Sequence, residues 1–330
     1  MAGTGIGDEF ELIARYFAPL CAGAPGALGL TDDAALVDLP PGEQLVVTAD
    51  ALVAGIHFLE DDPPGAIARK IVRVNLSDLA AMGARPLGLL LTAVFPRDVT
   101  AEWLEGFSAG LKADIVEFGA PLIGGDTVAG DGPLTLSLTA LGAVARGRAL
   151  SRGAAKTGDG IYVSGTIGDG ALGLEAARGA LAALGEEARG YLIERYRLPR
   201  PRLSLGARLV GLAHAAIDIS DGLIADLGHV CDCSGTGARI DAGAIPLSPA
   251  ARRALELDPG LLRRVLTGGD DYELLFTAPA GSDAALAGLA GDLRVEISRI
   301  GSVVAGTKVV LEGAEGLGSL GGATGYRHFV

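Results

Sequence analysis

The chain of 330 residues carries 27 Lys and Arg against 40 Asp and Glu, a formal net charge of −13, and 49% of it is hydrophobic. The length suggests two domains, and the apolar content supports sizeable cores and excludes extended disorder. The acidic surface repels phosphate backbones, which excludes a general nucleic-acid binder. Cys21, Cys231 and Cys233 are too few for a disulfide framework, and the C-x-C pair lacks the companions of a zinc site, so plain reduced thiols are expected. The start MAGTGIGDEFELIARYF has neither the basic n-region nor the apolar core of a signal peptide. The longest strongly apolar run, 87–95, is too short to span a bilayer. The expectation is a cytoplasmic protein with no membrane partner.

In chain order, Asp8 with Glu11 three residues on has the form of a capping box, and Phe10, Ile13, Ala14 and Phe17 follow at helical spacing. A Gly/Ala/Pro-rich loop, 22–29, leads to Thr31-Asp32-Asp33 and then to a strand-like run, 44–48, ending at Asp50. Pro63 and Pro64 open a helix through Met82, with Ile67, Ile71, Val74 and Leu79 on its buried side. A buried strand over 87–95 and a helix over 100–118 follow. A short extended piece, 121–123, stops at Gly124-Gly125-Asp126-Thr127, and strict alternation marks a strand over 134–140. The basic, small-residue stretch GRALSRGAAKTGD lacks periodicity, so the domain boundary is expected near residue 150, giving domains 1–150 and 151–330. Beyond it the pattern predicts strands at 161–164, 216–219 and 272–276. It also predicts helices at 171–183, 202–212 and 222–231, and a terminal hairpin or strand pair within 295–311. Strands alternating with helices in both halves argue α/β layers.

The chemistry-bearing feature is a set of acidic residues at strand ends or beside glycines: Asp32-Asp33, Asp50, Asn75-Leu76-Ser77-Asp78, Gly125-Asp126, Asp218-Ile219-Ser220-Asp221-Gly222 and Gly269-Asp270-Asp271. Carboxylates suit Mg²⁺, and ligands of open α/β sheets sit at such strand ends. Asp beside Gly is also ordinary turn chemistry, and spacing alone does not choose between the two. There is no G-x-x-x-x-G-K-[ST] and no H-E-x-x-H, and no G-x-S-x-G stands at a nucleophile elbow, since the match at Gly106 to Gly110 falls within the helix read over 100–118. The segment Gly165 to Gly170 is not G-x-G-x-x-G and reads as a strand–helix turn.

Taken in order, LVAGIHF (52–58), VNLSDLAAMGA (74–84), IGGDT (123–127), GRALSR (147–152), IDISDGLIADLGH (217–229), GGDDYEL (268–274) and the terminal GYRHF resemble the thiamine-monophosphate kinase family. That family belongs to the ATP-binding superfamily of aminoimidazole ribonucleotide synthetase and selenophosphate synthetase. The resemblance covers nearly the whole chain. It implies two α/β domains, with the N-terminal sheets of a homodimer pairing into a barrel. It implies ATP-dependent conversion of thiamine monophosphate to thiamine diphosphate by direct phosphoryl transfer, with no phosphoenzyme, over several Mg²⁺ ions. By motif position, Asp33, Thr48, Asp50, Asp78, Asp126, Asp218 and Asp221 match the Mg²⁺ ligands, with Ala49 as a main-chain ligand. Gly125, Asp126, Arg152 and Ser220 match ATP contacts, and His57, Asp270 and Tyr326 match substrate contacts.

Three positions depart from the family pattern. Leu30-Thr31 precedes Asp32 where Ile-Gly is usual, Ala49 replaces a Ser or Thr, and Asp270 stands where Glu is commoner. A main-chain ligand survives the Ala49 change, whereas Asp270 loses reach. Selenophosphate synthetase is disfavoured because Cys21 sits in the wrong surroundings, and the ribonucleotide synthetase by LVAGIHF and GYRHF. A nucleotide-binding maturation protein without this catalysis is the remaining alternative.

Overall fold

The computed structural model describes residues 9–313 and Gly325, so the expected Asp8 cap, Tyr326 and the rest of the GYRHF terminus lie outside the described residues. The chain divides into two compact units. One comprises residues up to Leu79 and Ala84–Gly147; the other comprises Ala80–Gly83 and Arg148 onward. Each is a mixed α/β layer around its own sheet. Among the described residues no helix is long and apolar enough to cross a membrane.

The first unit opens with α1 (Glu9–Leu12), which continues as a π-turn, Ile13–Phe17, and a 3₁₀ turn, Ala18–Cys21. The wider π-turn rotates the apolar stripe. Leu12, Tyr16, Phe17 and Leu20 are buried, while Phe10, expected on that stripe, is 78% exposed. Four strands follow with two helices between them: β1 (Glu43–Val53), α2 (Pro64–Ala81), β2 (Arg85–Pro96), α3 (Ala101–Phe118), β3 (Leu122–Gly130) and β4 (Thr135–Ala145). The sheet order is β1-β4-β2-β3, with β3 parallel to β2 and the other pairs antiparallel. Alternation puts Val46, Leu52, Leu91, Ala93, Leu136 and Leu138 inward. α3 meets β2 through Phe95, Trp103 and Phe107, whose rings lie 5.1–6.2 Å apart. α2 and α3 are clamped by Asp114, fully buried, which accepts from Arg69 Nε at 2.7 Å and from Arg73 Nε and Nη2 at 2.6 and 2.9 Å.

The strand expected to stop at Ile123 instead runs through the glycines to Gly130. Parallel pairing with β2 carries it, and Gly125 allows it: its φ is 154°, and a Cβ there would lie 1.9 Å from the Leu91 carbonyl oxygen.

The second unit contains β5 (Gly160–Ser164), α4 (Asp169–Ala177), α5 (Glu186–Arg197), α6 (Leu203–Leu209), β6 (Ala215–Asp218), α7 (Leu223–Ser234) and β7 (Gly237–Asp241). It continues with α8 (Pro249–Leu257), α9 (Leu262–Thr267), β8 (Leu274–Ala278), α10 (Asp283–Leu293), β9 (Ile297–Val304) and β10 (Val309–Glu312). The sheet order is β10-β7-β9-β5-β8-β6, antiparallel except for β10 against β7. Both faces are covered. Ile161, Val163, Ile217 and Leu275 pack with Leu223, Leu227 and Val230 of α7. On the other face Tyr162, Ala216, Leu274 and Phe276 pack with α6 and α10. Two-sided burial explains why these short strands read as apolar runs.

The terminal hairpin does not form. β9 and β10 both pair with β7, which lies between them, so the last strand is placed by a partner some seventy residues earlier in the chain.

Candidate active site

In the first unit the sheet divides the candidate residues between its two faces. Thr48 and Asp50 point to the helix side. The Thr48 hydroxyl donates to Asp78 Oδ2 of α2 at 2.5 Å, and the Asp50 backbone N–H donates to Asn75 Oδ1 at 3.1 Å. Asn75 is itself held, its amide donating to the Ile71 carbonyl at 2.9 Å. α2 thus presents the Asn and Asp of NLSD, three residues apart, to one edge strand.

Ala49 and Asp126 lie on the opposite, exposed face. Asp126 pairs with Thr92, which pairs with Ser137. A cavity of about 570 Å³ covers part of this face, lined by Asp32, Asp33, Leu90, Thr92, Asp126 and Thr139 among others. The structure therefore brings Asp33 and Asp126 to one cavity and Thr48, Asp50 and Asp78 to one strand–helix contact.

His57 sits in the turn after β1. Its Nδ1 accepts from the Val53 N–H at 3.1 Å, its own N–H donates to the Val53 carbonyl, and Phe58 anchors the turn in the core. The ring proton of the neutral imidazole then belongs on Nε2. Lys70 Nζ, buried in α2, donates to the His57 carbonyl at 3.0 Å.

In the second unit, β5 ends at Ser164, β6 ends at Asp218 and β8 begins at Leu274, and the registers Asp218↔Leu274 and Val163↔Leu275 bring these ends to one edge. Three loops gather there. The Asp270 N–H donates to the Ser220 carbonyl at 3.0 Å and the Tyr272 N–H to the Ile219 carbonyl at 2.8 Å. Ser220, Asp221 and Asp270 are thus carried by two loops bonded to each other, beside Asp218 at the end of β6. Asp270 and Tyr272 both have left-handed backbones, φ 70° and 50°, uncommon for residues with a Cβ. Arg152, also of this unit, is exposed in a 3₁₀ turn.

Three buried acids support this edge: Asp271, which belongs to the acidic set above, and Glu273 and Asp226, which lie in the matched segments without a role of their own. Asp271 accepts from the N–H groups of Gly168 and Gly170 at 2.7 and 3.0 Å. Burial pushes its carboxyl up to about 8 despite those donors. The Gly165–Gly170 turn thus spends two amides on a carboxylate of its own unit, as a strand–helix turn does. Glu273, fully buried, binds Arg195 at 3.0 Å and Arg202 Nε at 2.6 Å, and accepts from Ser164 Oγ at 2.6 Å. Asp226 on α7 accepts at Oδ2 from three consecutive N–H groups, those of Ser220, Asp221 and Gly222, each at 3.1 Å. Burial, and next the charge of Asp221, push its carboxyl up to about 7. Oxygen or nitrogen atoms of Asp221, Asp226 and His229 lie within 4.8 Å of one another. The sequence signal for Asp226 was its position four residues into a helix whose preceding loop carries the acidic motif.

The candidate donors are carboxylate, hydroxyl and carbonyl oxygens, a set that fits a hard divalent cation such as Mg²⁺ and not a thiophilic metal.

The chain matches the family described as AIR synthase related protein over both of its parts, the N-terminal domain at residues 31–144 and the C-terminal domain at 156–313. It is 44% identical to the thiamine-monophosphate kinase of Salmonella typhimurium over 322 residues, 97% of this chain and 98% of that protein. Among solved structures it resembles the thiamine-monophosphate kinase of Stenotrophomonas maltophilia, with a TM-score of 0.80 and 45% identity over 86% of this chain and 90% of that one. It also resembles AaThiL complexed with AMPPCP and TMP, with a TM-score of 0.76 and 30% identity over 92% and 93% of the two chains.

Proposed function

The chain belongs to the AIR synthase related family and, within it, to the thiamine-monophosphate kinases, and from that membership we propose that it transfers the γ-phosphoryl group of ATP to the phosphate of thiamine monophosphate. The products are ADP and thiamine diphosphate, and no phosphoenzyme forms. The observation that carries the reading is near-full-length identity to such kinases, coupled with oxygen donors at the sheet edges of both units.

Donor and acceptor are both phosphates, so the problem is repulsion more than covalent chemistry. Bound Mg²⁺ ions would supply charge neutralisation between them. Asp33, Thr48, the Ala49 carbonyl, Asp50, Asp78 and Asp126 of the first unit and Asp218 and Asp221 of the second would hold these ions. Gly125, which lacks a side chain where the backbone is crowded, Asp126, Ser220 and the Arg152 guanidinium would contact ATP. Arg152 suits phosphate oxygens because its fork pairs bidentately. His57, as the Nε2–H tautomer, is suited to donate to the substrate phosphate, and Asp270 and Tyr326 complete the substrate end.

The exposed face of the first sheet carries Leu45, Val47 and Val128, each 43–55% exposed. Their exposure supports a homodimer in which two such faces close into a barrel. Biosynthetic kinase activity and the reduced thiols fit a cytoplasmic enzyme.

The test is product analysis by ion-pair chromatography, with ATP and Mg²⁺ and with thiamine monophosphate, free thiamine or no acceptor in parallel. The expected result is thiamine diphosphate and ADP in equal amounts, with the monophosphate and Mg²⁺ only. ATP bound without diphosphate formed overturns the acceptor assignment.

A further inference from the structure

We propose that Asp226 is a positioning residue for the nucleotide and cation site, acting through the backbone of the Ser220–Gly222 loop. This rests on the reading above that Ser220 and Asp221 contact ATP and Mg²⁺. Asp226 lies on the first turns of α7 and is 2% exposed. One of its oxygens, Oδ2, takes three consecutive N–H groups at 3.1 Å each. With those donors on it, that oxygen serves the loop backbone and is poorly suited to a metal ion.

The same loop is gripped from its other side. The Ser220 and Ile219 carbonyls accept from the Asp270 and Tyr272 N–H groups. Gly222 is packed so closely that a Cβ would lie 2.8 Å from the Thr267 carbonyl carbon, and its φ of 121° excludes ordinary side chains. Five backbone hydrogen bonds and one close approach therefore set the direction in which Ser220 and Asp221 leave the loop. Three of those bonds end on one carboxylate.

An apolar residue at 226 would remove the acceptor of all three. Buried amides without acceptors drive a loop to rearrange, and an orienting partner behind a metal ligand typically changes metal affinity by about 10–100-fold when removed. Asparagine keeps an oxygen acceptor at nearly the same place while removing the charge and turning the other oxygen into an amide donor, so it separates positioning from ligation.

The experiment measures, for Asp226→Ala and Asp226→Asn, the Mg²⁺ concentration for half-maximal binding of a non-hydrolysable ATP analogue. Hydrogen–deuterium exchange at amides 220–222 is followed without ligand. The alanine variant should lose exchange protection there and need at least about tenfold more Mg²⁺. The asparagine variant should keep both protection and affinity close to wild type. Asparagine as weak as alanine overturns the proposal in favour of direct ligation through charge, and alanine indistinguishable from wild type overturns it outright. If alanine does not fold, the asparagine variant decides alone: near-wild-type Mg²⁺ dependence supports positioning, and a tenfold loss refutes it. Wild-type protein that binds the analogue but makes no thiamine diphosphate sinks the kinase reading and leaves this proposal to the binding data. Wild-type protein that binds no analogue sinks both.

Discussion

The two units solve the same problem, holding carboxylates at a sheet edge, by different means. In the first, Thr48, Asp50 and Asp126 are strand residues, and sheet register sets the face each one occupies. In the second, Ser220, Asp221 and Asp270 are loop residues, and Asp226, Asp271 and Glu273 hold the loops from beneath. A ligand on a strand is cheap to change because its backbone bonds do not involve its side chain. A ligand on a loop depends on a second layer whose loss is felt by the whole unit. Substitutions in the first unit should therefore separate activity from stability, and those beneath the second should couple them.

The sharpest separation is expected at Asp126, which is exposed on β3. Asp126→Asn should lower turnover by roughly two orders of magnitude, the scale of losing a group that stabilises transition-state charge. Its melting midpoint should stay at the wild-type value. Near-full activity in Mg²⁺ would remove Asp126 from the metal set.

Coupling should be clearest at Glu273. Removing it leaves Arg195 and Arg202 facing each other without their shared carboxylate, so Glu273→Ala should cost about 3–5 kcal/mol in denaturant unfolding. A loss under about 1 kcal/mol, the scale of an exposed pair, would show that the second unit does not depend on this layer.

Asp271 offers a test through pH. Its folded carboxyl is raised from 3.8 to about 8, so the folded state binds the extra proton between those values. Its contribution to stability is complete below pH 3.8 and is lost as pH rises towards about 8. Asp271→Asn should flatten that part of the stability–pH curve, read from urea midpoints at several pH values. An unchanged slope would mean the carboxyl is ionised in the folded protein. The smallest effect is expected at Thr100, whose hydroxyl caps α3 by accepting from the Trp103 N–H. Thr100→Ala should cost ~1 kcal/mol and leave turnover unchanged, a control for stability loss in the first unit without loss of site.

Much of the fold was legible locally. The helix over 64–81 showed its proline start and apolar spacing, and the strand over 135–145 its alternation. Local signals failed where pairing is non-local. β3 runs past its glycines because β2 lies alongside, and β9 and β10 are separated by β7. The candidate motif residues stood out in the sequence, but the supporting roles of the acids beneath them did not. Asp226, Asp271 and Glu273 matter through backbone amides and guanidinium groups that the sequence places far away or disguises as helix interior.

By itself, then, the amino-acid sequence determined the α/β class and the family, because periodicity and short motifs are local properties of the chain. Tertiary structure alone decided which face of the first sheet each carboxylate occupies and which buried acids hold the second unit's loops. Those facts depend on register and on burial, and both arise only when distant segments pack together.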